Sequence, residues 1–295
     1  MDISFLQTFR RRKDMIPDYH LHTEFSGDCE TKVLDVIKTA VSKGMNSICI
    51  TDHNDLDFPD TPDDVNFDLN IDEYIRYMKD LRLKLLTDEE IKHYVGHDSF
   101  DLRIGVEQGV MPTTCETLNS YSKDHPGLDF IICSSHVVDG MDPYYPEYFE
   151  GKKETDAYRH YFETILYNVE HFNDYNVYGH IDYIFRYGPT KAENYKSGQY
   201  HDILEPAFKK MIYDGKGLEI NTGSLYRGMD YMRPHDDILR LYKDLGGEII
   251  TVGSDAHDDI HVGHAFKEAG ERLLSFGFKY YCTFNNMKPT FQKID

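Results

Sequence analysis

Seven short runs rich in apolar, β-branched and aromatic residues recur along the chain, each ending in a polar or glycine-containing turn. They are 17–23 (PDYHLHT), 46–54 (NSICITDHN), 102–109 (LRIGVEQG), 128–136 (LDFIICSSH), 176–183 (NVYGHIDY), 215–223 (GKGLEINTG) and 247–257 (GEIITVGSDAH). Runs of this length and make-up predict strands. Between them the spacing becomes helical. Over 31–44, Val33, Ile37, Ala40 and Val41 share one face and Gly44 stops the run, which predicts an amphipathic helix. Residues 71–86 and 155–173 read the same way. Strands alternating with helices imply parallel βα units. No Ser/Pro/Gly linker and no internal repeat divides the sequence, so one domain over 1–295 is expected.

Either an open doubly wound sheet or a closed barrel satisfies this pattern, and the polar residues decide between them. Metal-competent side chains stand at the C-terminal end of nearly every predicted strand. A barrel gathers all such ends at one mouth. An open sheet would spread seven ends over more than about 25 Å, at about 4.8 Å per strand. The expected fold is therefore α/β, a TIM-like barrel.

The first strand ends His20-Leu21-His22, and alternate residues on a strand point to the same side, so both imidazoles can reach one ion. Alone this is a weak signal, since two surface histidines would look the same. The other strand ends strengthen it. Asp28 follows in the next loop, and the later ends carry His53, Glu107, His136, His180, Asp255 and His257. Six of the 15 histidines and three carboxylates thus occupy equivalent places. Imidazole with carboxylate suits zinc, manganese or iron, whereas a thiolate site would need cysteine. Nine ligands exceed the needs of one ion and suffice for two or three.

Composition limits the partners. The formal net charge of −20 disfavours a long nucleic acid or an anionic membrane surface, while metal ions and a few arginines can still make one site attractive to an anion. The cysteines, Cys29, Cys49, Cys115, Cys133 and Cys282, are odd in number and form no CxxC pair. Cys49 and Cys133 lie in apolar runs, which predicts buried thiols in a reducing compartment. No run approaches the roughly 18 apolar residues of a membrane span, and MDISFLQTFRRRKDM has no apolar core after its basic residues, so a cytoplasmic protein is expected.

The motifs YHLHTEFSGD, ITDHND, GVEQG, SSH, GHIDY and GSDAH, in this order over about 17–270, resemble those of the polymerase-and-histidinol-phosphatase (PHP) superfamily. The resemblance implies a distorted (β/α)7 barrel with a trinuclear metal site. His20, His22, Glu107 and Asp255 would hold one ion; Glu107 would bridge to a second held by His136 and His180; Asp28, His53 and His257 would hold the third. Longer stretches, TDHNDLDFPD, GHIDYIFRYGP and LEINTGSLYR, resemble the histidinol-phosphatase branch. That branch implies hydrolysis of L-histidinol phosphate, in histidine biosynthesis, by a hydroxide bridging two ions. Arg186 and Arg227 match the family's phosphate-gripping arginines, with Arg233 a rival to Arg227.

Further roles stay open on sequence alone. Asp255, Glu107 and His257 are the catalytic candidates, and Asn221 touches either substrate or only neighbouring backbone. Asp52 and Asp182 read equally as orienting partners for imidazoles or as turn caps. The acidic stretch Asp55–Asp72 lacks calcium-loop spacing and reads as a solvated or lid-forming loop. Tyr144, Tyr145 and Tyr148 are expected to pack on the barrel rim, and His93, His97, His125, His160, His171 and His201 to serve surface or packing roles. His235, His261 and His264 are less clear, because they follow strands six and seven. Competing functions keep the metals and change the substrate to another small phosphate ester or a nucleotide diester, or replace phosphate by an amide or lactone. A binding module without chemistry is the last alternative. The oligomeric state is not legible.

Overall fold

The computed structural model describes residues 15–294; the N-terminal stretch 1–14, read above as carrying no targeting segment, lies outside the described residues. Strands β1 (Ser47–Ile50), β2 (His53–Asp55), β3 (Asp101–Gly109), β4 (Phe130–Ser134), β5 (Val177–Tyr178), β6 (Gly217–Asn221) and β7 (Ile250–Gly253) are all parallel. They join in the order β1-β3-β4-β5-β6-β7, and β2 continues the line of β1 along the second half of β3.

The 18–22 segment closes the curl. On one side Cys49 N donates to Asp18 O at 2.8 Å and Thr51 N to Leu21 O at 2.9 Å; on the other, Tyr19 N donates to Val252 O at 3.0 Å and Asp255 N to His20 O at 2.8 Å. The predicted first strand is thus an extended segment bridging β1 and β7. Counting it, seven strand positions make the distorted (β/α)7 barrel.

Most strands are shorter than the runs that predict them, as two examples show. The 46–54 run breaks at Thr51–Asp52, where Asp52 accepts hydrogen bonds from Thr23 N, Thr23 Oγ1 and Ser26 Oγ. These side-chain bonds hold the loop after His22 against the mouth, while Thr51 N and Asp52 O keep backbone bonds to Leu21 O and Glu107 N. The 176–183 run keeps only Val177–Tyr178 in the ladder before a 3-10 turn at Tyr183–Arg186.

The predicted helices are observed at Val33–Ser42, Ile71–Thr87 and Glu154–His171. The first buries Val33, Val36, Ile37 and Ala40; Val41, expected on this face, is half-buried. Helices His201–Tyr213, Asp236–Asp244 and Phe266–Ser275 complete the outer layer around the later strands. Each large aliphatic or Phe side chain buried between helix and strand contributes about 1.5–3 kcal/mol. No helix among the described residues is long and apolar enough to cross a membrane.

The chain ends in an antiparallel hairpin, β8 (Tyr280–Asn285) and β9 (Lys288–Lys293), which the βα pattern does not announce. Its two-residue loop, Asn286-Met287, has φ of 48° and 64°, the paired left-handed geometry of a tight hairpin. The hairpin seals the N-terminal mouth of the barrel. Phe284 N donates to Tyr19 Oη at 3.0 Å, and Phe284 and Cys282 pack with Tyr19, Cys49, Phe130, Ile132 and Val177. One mouth is therefore an apolar plug, and chemistry is left to the other.

Candidate metal centre

His20 and His22 stand two residues apart on the bridging segment, both fully buried. Their Nε2 atoms lie 3.0 and 3.3 Å from Oε2 of Glu107. Glu107 enters from β3, in register with His53 of β2, whose Nδ1 is 3.1 Å from the same oxygen. The other oxygen, Oε1, meets His180 Nε2 at 2.7 Å and His136 Nε2 at 3.1 Å and accepts from Ser134 Oγ at 2.7 Å. Five imidazoles thus surround one buried carboxylate.

Asp255 follows β7 in the left-handed region, φ 55°. Its Oδ1 lies 3.6 Å from His22 Nε2, 3.9 Å from His20 Nε2 and 3.7 Å from His257 Nδ1. Asp28 completes the outer edge, with Oδ2 3.0 Å from His257 Nε2 and 3.8 Å from His53 Nε2. All nine residues singled out in the sequence stand at one mouth. The tight triads include His20-His22-Glu107, Glu107-His136-His180 and His22-His53-His257.

Residues that the sequence reading passed over orient these rings. Glu219 Oε1 is 2.5 Å from His20 Nδ1, and its Oε2 accepts the His180 backbone N–H at 2.9 Å. Asp55 Oδ2 is 2.6 Å from His136 Nδ1, and Ser26 Oγ is 3.0 Å from His22 Nδ1. Such partners set tautomer and ring direction. Glu219 was readable as an acid inside an apolar strand, and Asp55 as the residue alternating with His53. Asp52 reaches His22 through Ser26. Asp182 instead accepts from the His235 backbone N–H at 2.6 Å, tying down the N-cap residue of helix Asp236–Asp244, and makes no side-chain cap bond to its own turn.

The electrostatics divide the rings. Burial opposes protonation of His20 and His136, yet Glu107 with Glu219, and Asp55 with Glu107, hold both raised. Burial and a neighbouring imidazole push His22 down to about 4 and His53 to about 3. Burial likewise opposes ionisation of Asp255, and the Arg227 charge outweighs it and holds the carboxyl well below its usual range. The buried Nε2 atoms of His20 and His22 and Oε2 of Glu107 have no hydrogen-bond partner among the described residues. Nitrogen and carboxylate donors left unpaired at such distances, in a buried pocket, fit divalent cations.

Glycine is required where backbones press on these partners. A Cβ on Gly253 would meet His20 Cβ at 2.3 Å and Glu219 Oε1 at 2.4 Å; one on Gly109 would meet Asp55 Oδ2 at 2.1 Å. Gly253→Ala is therefore expected to part His20 from Glu219 and to weaken metal affinity about 10–100-fold, the usual effect of losing an orienting partner. Competition with a chromogenic chelator measures this; unchanged affinity would show that the Glu219 contact is dispensable.

A cavity of about 310 Å³ opens above the cluster. Asp28, His53, Glu107, His136, His180, Asp255 and His257 reach its floor, and Arg186 and Arg227 form one side. Arg227 donates to Asp255 Oδ2 at 2.5 Å, to Asp255 O at 2.7 Å and to His257 Nδ1 at 2.9 Å. Arg233 and Asn221 do not reach the wall. Both are fully buried, and the Asn221 amide spans Glu219 and Asp255. Asn221 thus stands among the side chains behind the ligands, away from any cavity contact.

The opposite wall is aromatic and acidic. Phe58, Asp63 and Phe67 come from the stretch read as a solvated or lid-forming loop, and Asp142, Tyr144 and Tyr145 from the loop after β4. Tyr144 and Tyr145, expected to pack on the rim, line the cavity; Tyr148 packs in the core. Among the histidines set aside, His125, His160 and His201 pair with Asp72, Asp139 and Asp237, His235 caps a helix, and His261 stacks on Tyr226. None of His235, His261 and His264 lines the cavity.

Residues 18–223 match the PHP domain family. The chain is 30% identical over 272 residues to a histidinol-phosphatase of Lactococcus lactis subsp. lactis, covering 92% of this chain and 95% of that protein. It superposes on a crystal structure of histidinol phosphate phosphatase from Lactococcus lactis, complexed with zinc, L-histidinol and phosphate. The TM-score is 0.77 at 30% identity, and the match covers 94% of this chain and 99% of that one. A Listeria monocytogenes structure, at TM-score 0.70 and 17% identity over 85% of this chain and 99% of that one, shares the fold.

Proposed function

The chain belongs to the PHP domain family, and from that premise we propose that it is a histidinol-phosphatase, hydrolysing L-histidinol phosphate to L-histidinol and phosphate in histidine biosynthesis. The observation that carries this reading is a carboxylate ringed by five imidazoles beneath a cavity with two arginines on one side. In the same reading two or three divalent ions, zinc, manganese or iron, occupy the cluster. His20, His22, Glu107 and Asp255 would hold one; Glu107, His136 and His180 would hold a second; Asp28, His53 and His257 would hold a third. The free, buried cysteines accord with a cytoplasmic enzyme.

Divalent ions so held supply Lewis-acid neutralisation of phosphate charge and activate water at neutral pH. The protein's own groups do the rest. Arg186 and Arg227 hold the phosphate oxygens through planar, bidentate contacts. With the third ion absent, His257, whose protonated form the Asp28 and Asp255 carboxylates favour, would be placed to give the leaving alcohol its proton. Asp142 and Asp63 present carboxylates to the substrate ammonium, and Phe58, Phe67, Tyr144 and Tyr145 offer flat apolar faces to its imidazole.

The test is phosphate release by purified protein, stripped and then reloaded with each metal, on L-histidinol phosphate beside a panel of monoesters and diesters. Preference for histidinol phosphate by about tenfold or more is expected, because a site built for polar groups rejects analogues lacking them. Faster cleavage of a nucleotide diester would replace this substrate, and no metal-dependent turnover would reject the class.

Chelation should cost stability as well as activity. Ions that bind only the folded state stabilise it by about 4 kcal/mol per site at a thousandfold excess over Kd, so the melting temperature is expected to fall on stripping. Loading should weaken as pH falls. Ligands must lose protons to bind, and the carboxylates around His20, His136 and His257 hold their protons more tightly than usual. Calorimetry with and without chelator across pH 6–8 checks both.

A further inference from the structure

Arg233 has the largest side chain among those buried almost completely, with no solvent exposure. Its backbone is clamped to the end of β6, where Asn221 N donates to Arg233 O at 2.9 Å and Arg233 N to Asn221 O at 3.0 Å. The guanidinium lies over the Tyr183 ring, 5.8 Å from its centroid. Its Nη2 is 3.4 Å from Asn221 Oδ1 and 3.5 Å from Asp255 Oδ2. Nε and Nη1 have no hydrogen-bond partner among the described residues. A buried cation so thinly paired is a poor stability device, since desolvation outweighs long, incomplete contacts. Its position points to another role.

The two oxygens of Asp255 face different neighbours. Oδ1 looks into the imidazoles of His20, His22 and His257. Oδ2 is taken by Arg227, Asn221 and Arg233. Arg227 also lines the cavity, and a guanidinium that turns to an incoming phosphate must loosen its hold on Asp255. Arg233 is fully buried and is not among the residues lining the cavity.

We propose that Arg233 is a positioning residue that keeps Oδ2 of Asp255 fixed from behind, so that Oδ1 stays aimed at the cluster while Arg227 engages phosphate. The proposal rests on the metal-cluster reading above and assigns phosphate contact to Arg227 and anchoring to Arg233.

The test compares Arg233→Met and Arg233→Lys with the unmodified protein, reading metal affinity by chelator competition alongside kcat and KM. Arg233→Met is expected to weaken the binding of one ion about 10–100-fold, as loss of a ligand-orienting partner does. It should lower kcat by a similar factor and change KM by less than about threefold. Arg233→Lys keeps the charge without the planar fork, so it should fall between the two and is the deciding variant if methionine prevents folding. Normal metal affinity and kcat in Arg233→Lys would overturn the proposal. So would a rise in KM with metal affinity intact, since that is the mark of direct phosphate contact. Because chelator competition needs no substrate, a wrong substrate assignment would show in turnover of the unmodified protein and leave the metal result standing.

Discussion

Glu107→Gln is expected to abolish turnover, lowering kcat/KM by about a thousandfold or more, because a shared anionic ligand is lost where charge stabilisation matters most. The geometry gives the reason. Oε2 faces His20, His22 and His53, and Oε1 faces His136 and His180. Only an ionised carboxylate offers lone pairs to both groups at once. Glutamine keeps the volume, but it puts an N–H₂ donor where one oxygen stood and removes the charge. Metal content should fall by at least one ion per chain, measured on the same sample by elemental analysis. The substitution separates shape from charge, since the side chain stays nearly isosteric in a fully buried position. Full metal content with activity within about tenfold of normal would show that Glu107 is not shared, and the proposed ligand sets would have to be reassigned.

The convergence of these side chains at one mouth was legible because strand-end residues repeat a local rule. Each of His53, Glu107, His136, His180 and Asp255 follows or ends a short apolar run, and parallel strands carry all such ends to one mouth. The first strand was legible in position and not in form. Its register is fixed by edges contributed by β1 and β7, which lie about 30 and 230 residues further on, and no local pattern reports them. The closing hairpin was hidden for a similar reason. Its alternation is weak, and only packing against Tyr19 and Phe130 gives Phe284 a buried face. Glu219 and Asp55 carry local signals, an acid inside an apolar strand and one alternating with His53, but their partners His20 and His136 lie far away in sequence, so spacing does not pair them. Arg227 and Arg233, six residues apart, both sit near the same carboxylate; what separates them is burial, a tertiary property.

Arg227→Lys should be nearly as damaging as Arg227→Met, each lowering kcat/KM by about 10²–10³-fold, because an ammonium cannot reproduce a bidentate fork on phosphate. The side chain spans two parts of the mouth. It donates to Asp255 Oδ2 and O and to His257 Nδ1, and it forms part of the cavity side with Arg186. Removing it leaves Asp255 with Asn221 and Arg233 on Oδ2, so metal content should hold near normal while KM for the phosphate ester rises. Arg233→Met should give the opposite division, with metal affinity down and KM nearly unchanged. Measuring both variants for metal content and for KM places each arginine on one side or the other. An Arg227 variant that loses its metals while binding substrate normally would mean that its contact with Asp255 outweighs any contact with phosphate, and the roles of the two arginines would have to be exchanged.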